Sequence, residues 1–252
     1  MRRLAVAATL ALLAFALPAA RAEIAQRGDL RVVFSGAVSP KRLPRRGSAP
    51  ISVRLGGRIS TTDGSEPSPL ERIEIAINRN AHLDPSALPS CRLEQIQPAS
   101  TAYARRVCAA ARVGEGTFSA SVAIPEQSPY PSQGTVTAFN GRQAGRPVIL
   151  LHVFGTRPLP TSFTMPLAIG RSRGSFGTVL RGTLPLVDAH VGFVTAIGLR
   201  LDGTRHGYLS AGCPAPAGFS AAVFPLARAN FTFAAGQVLS RTLIRSCGVQ
   251  PG

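Results

Sequence analysis

The clearest nucleophile pattern in this sequence is the segment 170–174, which reads Gly-Arg-Ser-Arg-Gly and centres on Ser172. It matches the G-x-S-x-G pattern in which serine hydrolases present a nucleophile on a sharp turn between a strand and a helix. Here residues 175–180 follow, and their Phe, Thr and Val predict a strand instead of a helix. A glycine-bounded hairpin turn is therefore the favoured interpretation, and a nucleophilic Ser172 is the alternative.

That alternative requires a general base and a carboxylate that orients it. Downstream of Ser172, Asp188 with either His190 or His206 could supply them. Asp188 and His190 are two residues apart, so on a strand their side chains share one face. The hypothesis that follows is a secreted serine hydrolase.

The four cysteines, Cys91, Cys108, Cys213 and Cys247, are a second chemically informative set. Four cysteines allow three pairings. We favour Cys91–Cys108 and Cys213–Cys247, because each pair stays within one half of the chain. The spacings contain no C-x-x-C unit and no histidine lies close by in sequence, which argues against a metal site or a redox-active pair.

The first 22 residues have the organisation of a secretory signal peptide. Arg2 and Arg3 precede an apolar stretch at 4–17, and the segment 20–22 reads Ala-Arg-Ala, a small-x-small cleavage signal. The apolar stretch is shorter than the roughly 20 residues that a membrane span needs. We therefore predict a secreted or cell-envelope protein, outside the cytoplasm, with two disulfides and no membrane span once the leader is removed.

The balance of charge is strongly basic. The chain has 28 Lys and Arg against 12 Asp and Glu, so losing the three arginines of the leader leaves a net charge of +13. Basic surfaces attract anionic polymers. A GC-rich genome would also produce this arginine-rich, alanine-rich and proline-rich composition, so selection for an anionic partner and codon bias both remain open.

The densest group of cations is Lys41, Arg42, Arg45 and Arg46, in a proline-containing segment. These four residues are the candidate anion contacts, although the same segment could be a solvated loop. The chain has no Trp and three Tyr, whereas sugar-binding and single-strand nucleic-acid modules stack their ligands on aromatic rings. We therefore expect no nucleic-acid partner. No pattern predicts a cofactor.

Alternation of apolar and polar residues predicts strands at 51–55, 73–77 and 163–169. The apolar run 148–154, interrupted at His152, is typical of a strand buried on both faces. Dipeptides such as Asp63-Gly64 and Asn140-Gly141 predict hairpin turns. The fold class expected is mainly β, with one or more antiparallel sandwich-like domains.

One segment, 100–113, predicts a short helix that carries Cys108, begins at Ser100 and ends at Gly114. The proline-containing stretch 155–161 is the candidate domain boundary. It divides the mature chain into an N-terminal β-rich domain, 23–157, which contains the helix, and a C-terminal sandwich-like domain, 158–252. One continuous domain over 23–252 is the alternative.

Several short phrases together resemble uncharacterised secreted β-rich proteins of high-GC actinobacteria. The phrases are Leu-Pro-Ser-Cys at 88–91, Ala-Phe-Asn-Gly at 138–141, the segments 208–216 and 224–228, and Ser-Cys at 246–247. The resemblance implies export and a β-rich fold and assigns no functional residues.

The function expected from these observations is non-catalytic. We expect a binding or structural protein of the cell envelope or extracellular space, whose arginines contact anionic surface polymers or whose surface docks another surface protein. The secreted serine hydrolase that uses Ser172 is the alternative.

Overall fold

The structure is a computed structural model that describes residues 22–122, 129–157, 160–184, 193–203 and 207–251. Residues 1–21 of the predicted leader lie outside these ranges, as do Asp188, His190 and His206. The described chain is mainly β, which confirms the predicted fold class.

Seventeen strands are described, and their bounds are as follows: β1 (Glu23–Arg27), β2 (Leu30–Ser39), β3 (Arg42–Leu43), β4 (Ala49–Pro50), β5 (Ser52–Thr61), β6 (Leu70–Asn78), β7 (Ala81–Leu83), β8 (Cys91–Arg92), β9 (Arg112–Val122), β10 (Tyr130–Gln143), β11 (Arg146–Gly155), β12 (Thr161–Arg171), β13 (Phe176–Thr183), β14 (Phe193–Asp202), β15 (Leu209–Ala211), β16 (Ala221–Phe233) and β17 (Val238–Val249). Two helices, α1 (Leu93–Ile96) and α2 (Thr101–Val107), lie between β8 and β9. Neither has the length or hydropathy that a membrane-crossing helix needs.

Most of these strands join one large sheet. Its order is β1-β2-β5-β14-β9-β10-β11-β12-β13-β6-β16-β17-β3, with β8 attached to β10. The pairing is antiparallel except at β8 with β10 and at β3 with β17. A small second sheet has the order β4-β15-β7.

The large sheet curls, so that strands far apart in its order pack against each other. Phe34 on β2 and Phe231 on β16 are separated by eight strands in that order, yet their rings meet edge to face with centroids 5.9 Å apart. The alternation on β2 explains the inward face, because Leu30, Val32 and Phe34 are buried. The apolar core therefore fills the inside of the curl.

Strand pairing crosses the predicted domain boundary repeatedly. Strands of 23–157 pair with strands of 158–252 at β5 with β14, β11 with β12 and β6 with β13. This continuity favours the single domain over the division at 157 and 158, and the choice stays a prediction.

The predicted helix is present but shorter than expected, and the helical turn α1 precedes it. It begins as predicted, with the Ser100 hydroxyl accepting a hydrogen bond from the backbone N–H of Tyr103 at 3.3 Å. It ends at Val107, and β9 starts only five residues later. Gly114 belongs to β9, where a Cβ atom would collide with the Arg200 carbonyl oxygen. A glycine is therefore needed at this position for close packing between strands, and it does not end a helix.

The predicted turn at Asn140-Gly141 is also displaced. Both residues lie within β10, and the hairpin reverses at Ala144 and Gly145, which have positive φ angles of 48° and 75°. Two consecutive positive φ values give the turn type that matches strand twist in two-residue hairpins. The Asn140 side chain is used elsewhere, as described below.

Candidate functional site

Both predicted disulfides are present. Cys91 and Cys108 have Cα atoms 5.6 Å apart, and Cys213 and Cys247 have Cα atoms 5.8 Å apart. All four residues are buried. The described residues contain no group of three or more His, Cys, Asp or Glu placed to hold a metal ion.

The candidate anion contacts lie on a backbone segment that the sheet holds in place. We call residues 41–46 the basic segment; it connects β2 to β4 and contains the short strand β3. Leu43 is only 2% exposed and anchors the segment in the core, whereas the four cationic side chains of the segment are exposed. The segment is therefore an ordered strand edge whose anchor points inward and whose cations point outward.

One side of the basic segment is hydrogen-bonded to the end of β17. The backbone N–H of Gly248 donates to the Lys41 carbonyl at 2.9 Å, and the N–H of Gln250 donates to the Leu43 carbonyl at 2.9 Å. These bonds extend the parallel pairing of β3 with β17. The backbone under the cations therefore cannot shift without breaking part of the sheet.

The other side is held by the segment that follows β15. The N–H of Cys213 donates to the Pro44 carbonyl at 2.9 Å. Gly212 lies so close that a Cβ atom there would sit 2.5 Å from the Gly47 carbonyl oxygen. Because Cys213 is bonded to Cys247 on β17, the disulfide joins the two segments that hold the basic segment.

Little negative charge is available to neutralise these cations. None of the four lies within 4.0 Å of a carboxylate oxygen of the described residues. The sequence has no Asp or Glu between Asp29 and Asp63 and none after Asp202, and these two stretches supply the basic segment and both segments that hold it. A positive potential at this end of the molecule follows.

The structure adds three arginines that the sequence analysis missed. Arg171 is the last residue of β12, Arg173 lies within the turn between β12 and β13, and Arg79 packs against the same turn. The Arg79 guanidinium donates to the Gly174 carbonyl, and its backbone N–H donates to the Ser175 carbonyl at 3.0 Å. All three arginine side chains are exposed.

The turn that contains Arg79 is connected to the basic segment. The carbonyl of Asn80 accepts a hydrogen bond from the N–H of Gly212 at 3.0 Å, and the next residue, Cys213, bonds Pro44. In the sequence, Arg79 does not lie in a dense group of cations. Its position close to the basic segment is evident only from the strand pairing.

Ser172 lies in the same hairpin turn. Strand β12 ends at Arg171 and β13 begins at Phe176, and the Ser172 N–H donates to the Gly177 carbonyl at 3.0 Å. A strand therefore follows the serine, whereas a nucleophile elbow is followed by a helix. The proposed partners Asp188, His190 and His206 lie outside the described residues, so the hydrolase hypothesis stays a prediction. A serine-reactive phosphonate that labels the protein but not its Ser172→Ala variant would support it, and an unlabelled folded protein would end it.

The other disulfide fixes a different kind of region, which we call the helical cover, residues 91–111. It packs on one face of β10 and β11, where it buries an apolar cluster that includes Ile96, Phe139 and Leu150. The opposite face of β11 is part of the main core through Ile149 and Leu151. The predicted burial of this strand on both faces is confirmed.

On the face of β10 opposite to Phe139 and the helical cover, Asn140 holds the loop that leads into Cys91. It is fully buried, and its Nδ2 atom lies 3.0 Å from the carbonyl oxygens of Pro85, Leu88 and Pro89. The two N–H groups of this amide thus serve three backbone acceptors of that loop, and two of the acceptors share one hydrogen.

His152 is also fully buried, on the face of β11 that carries Leu150 and the helical cover. Its strand neighbours on β10 and β12 are Thr137 and Thr164. Burial lowers the pKa of His152 below its ordinary value of 6.5, and a weak contact with the Ile96 backbone opposes this only in part. Arg105 on the helical cover donates a hydrogen bond to the hydroxyl of Thr137, the residue opposite His152 on β10, at 3.3 Å. The imidazole is therefore a neutral core residue, unlike the exposed arginines of the basic segment.

Comparison of the chain with protein-family models, with curated proteins and with solved structures gave no match in any of the three.

Proposed function

We propose that this protein is an exported, non-catalytic binding protein that docks on anionic polymers of the cell envelope through its basic segment. One observation carries the proposal: four exposed cations stand on a backbone that is hydrogen-bonded on both sides and anchored by the buried Leu43, next to a disulfide. Arg79 adds an exposed cation beside the segment that holds the basic segment, because its neighbour Asn80 accepts a hydrogen bond from Gly212.

Ordering the backbone in advance favours binding. A flexible basic loop would lose conformational entropy when it docked, whereas this segment has already lost that freedom on folding. Several cations fixed at short spacing also act together on a polymer that carries repeated negative charges.

Export is supported by the cysteines. Disulfides persist in oxidising compartments outside the cytoplasm, and both pairs here fix irregular segments onto the sheet. The signal peptide predicted at residues 1–22 directs this export.

The experiment is co-sedimentation of the purified, disulfide-bonded protein with envelope fragments of the organism that produces it. Binding is measured at about 0.01 M salt, where charges act over about 30 Å, and at about 1 M salt, where they act over about 3 Å. Pelleting at low salt that is lost at high salt is expected.

The basic-segment variant replaces Lys41, Arg42, Arg45 and Arg46 with Gln. A charge-matched variant replaces Arg27, Arg58, Arg142 and Arg146 with Gln; these four are also exposed and lie elsewhere on the sheet. Both variants lose four positive charges, so a general effect of net charge would weaken both equally. Selective loss in the basic-segment variant supports the proposal, and equal loss, salt-resistant pelleting or no pelleting contradicts it.

A further inference from the structure

Three large apolar side chains are exposed next to the basic segment. Phe219 is 64% exposed, Val223 is 75% exposed and Ile244 is 48% exposed. We call these three residues the apolar patch. Phe219 ends the turn before β16, Val223 lies near the start of β16, and Ile244 lies on β17.

The strand register makes Val223 and Ile244 neighbours. Val223 is opposite Ser246, and Pro225 is opposite Ile244, so the two exposed side chains are diagonal partners on one face of the antiparallel pair. Both point away from the core, since the residues that alternate with them, such as Leu243 and Cys247, are buried.

The same face continues onto the basic segment. Gly248 lies between Ala221 of β16 and Arg42 of β3, and a Cβ atom on it would lie 3.6 Å from Cγ of Arg42. The Arg42 side chain therefore lies over the face that Val223 and Ile244 occupy. On the other flank, the Arg45 guanidinium donates to the Phe219 carbonyl at 2.6 Å.

This surface combines exposed apolar side chains with cations and has no carboxylate in its own segments, since the sequence has no Asp or Glu after Asp202 and none between Asp29 and Asp63. A hydrophilic polyanion has nothing to place on the apolar patch, and a second copy would bring like charges together. An anionic bilayer supplies both complements, phosphate groups for the cations and the acyl boundary for the apolar side chains.

We propose that the apolar patch and the basic segment together dock this protein peripherally on the surface of an anionic phospholipid membrane. The inference rests on the proposed function because the same cations act in both. It adds the partner: phosphate groups of the lipid contact Arg42 and Arg45, while Phe219, Val223 and Ile244 enter the interface.

The experiment compares three probes: vesicles of phosphatidylcholine with phosphatidylglycerol, vesicles of phosphatidylcholine alone, and soluble dextran sulfate. The test variant carries Phe219→Ser and Val223→Ser. Its control carries Tyr103→Ser and Val238→Ser, which are similar exposed positions, 46% and 50%, outside the patch.

The wild type is expected to bind the anionic vesicles and not the neutral ones. The patch variant should bind anionic vesicles about tenfold more weakly, because each apolar side chain that enters the interface contributes to the partition. It should bind dextran sulfate as the wild type does, and the control variant should match the wild type on both probes.

The outcomes separate the two proposals. If the patch variant and the wild type bind anionic vesicles equally, the membrane inference is overturned and the basic-segment proposal stands. The same conclusion follows if the wild type binds dextran sulfate but not anionic vesicles. If the basic-segment variant binds both anionic probes as strongly as the wild type does, both proposals are overturned.

A spectroscopic test is independent of affinity. The chain contains no tryptophan, so the Phe219→Trp variant carries a single indole at the patch and the Tyr103→Trp variant carries a single indole outside it. On anionic vesicles, the emission of the Phe219→Trp variant should shift to shorter wavelength and be quenched by brominated lipid. The emission of the Tyr103→Trp variant should do neither. An unshifted, unquenched emission from the vesicle-bound Phe219→Trp variant contradicts the inference.

Discussion

The two disulfides close loops with sequence separations of 17 and 34, and they fix opposite kinds of region. The helical cover buries an apolar cluster and His152 against the sheet. The basic segment buries one side chain, Leu43, and exposes four cations. One disulfide therefore closes a second layer of core, and the other holds a surface in a fixed shape.

This difference indicates why the Cys213–Cys247 bridge is useful at its position. A layer of apolar side chains holds the helical cover even apart from its bridge. The basic segment has no such layer, and its like charges repel each other. Backbone hydrogen bonds to two segments that are joined covalently replace the missing apolar contacts.

The largest effect should come from removing the bridges. Replacing both cysteines with Ser should lower the free energy of unfolding by about 3 kcal/mol for Cys91–Cys108 and by about 4 kcal/mol for Cys213–Cys247, as expected from loop length. The comparison predicts that only the second variant also loses affinity for dextran sulfate. Urea unfolding measures the loss of stability. Binding to dextran sulfate, at a temperature where both variants are folded, measures the loss of affinity. Equal loss of affinity in the two variants would break the comparison.

The next largest effect should be at Asn140. Asn140→Ala removes the donor that three loop carbonyls share, one of them in a fully buried hydrogen bond, so we expect the free energy of unfolding to fall by about 2–4 kcal/mol. Asn230→Ala is the control, because Asn230 is half-buried and contacts side chains on a strand surface. Urea unfolding should show a loss below about 1 kcal/mol for it. Comparable losses at the two positions would mean that Asn140 does not hold the loop.

His152 should make stability depend on pH. Because burial lowers its pKa in the folded state, the unfolded chain takes up a proton first as the pH falls below 6.5. The contribution of His152 is thus fully present above that pH and is lost as the pH falls, with a slope of up to about 1.4 kcal/mol per pH unit.

Thermal melts between pH 7 and pH 5 measure this dependence. His152→Gln should flatten the dependence, whereas His82→Gln should preserve it, because His82 is exposed. A dependence that persists in His152→Gln would assign it to other groups.

The smallest effect on stability should come from the basic segment itself. Replacing its four cations with Gln removes exposed charges that have no described carboxylate partner and one exposed hydrogen bond, from Arg45 to the Phe219 carbonyl, so the free energy of unfolding should change by less than about 1 kcal/mol. Urea unfolding measures the change. A loss above about 2 kcal/mol would show that these side chains serve the fold instead of a partner.

The fold class and both disulfide pairs could be predicted because they depend on local signals. Alternation marks strands such as 163–169, and keeping each pair within one half of the chain is enough to choose among three pairings. The curl of the sheet could not be predicted in this way, because pairs such as β5 with β14 bring together residues about 140 positions apart, for example Leu55 and Leu199.

The errors in the prediction come from residues whose local preference is overridden by tertiary contacts. Asn140 and Gly141 are a typical turn pair, but three loop carbonyls accept hydrogen bonds from the buried Asn140 side chain, and the turn forms at Ala144 and Gly145. The local pattern makes Gly114 a helix end, but β9 needs this glycine for contact with β14.

For the candidate site, local charge density is sufficient to find the four cations of the basic segment. It is not sufficient to find Arg79 or the apolar patch. Arg79 meets Gly174 only through strand pairing, and Val223 and Ile244 become neighbours only in the β16–β17 register. The exposure of Val223 and Ile244 also cannot be predicted from the sequence, because residues that alternate with buried ones occur in every strand.

The most direct test of the account is the salt dependence of binding to dextran sulfate for the wild type, the basic-segment variant and the charge-matched variant. The account predicts that the logarithm of the affinity falls steeply with the logarithm of the salt concentration for the wild type and the charge-matched variant. The slope should be much shallower for the basic-segment variant, which releases fewer counterions. Identical slopes for the two variants would contradict it, since binding would then follow net charge and not the surface held by Cys213 and Cys247.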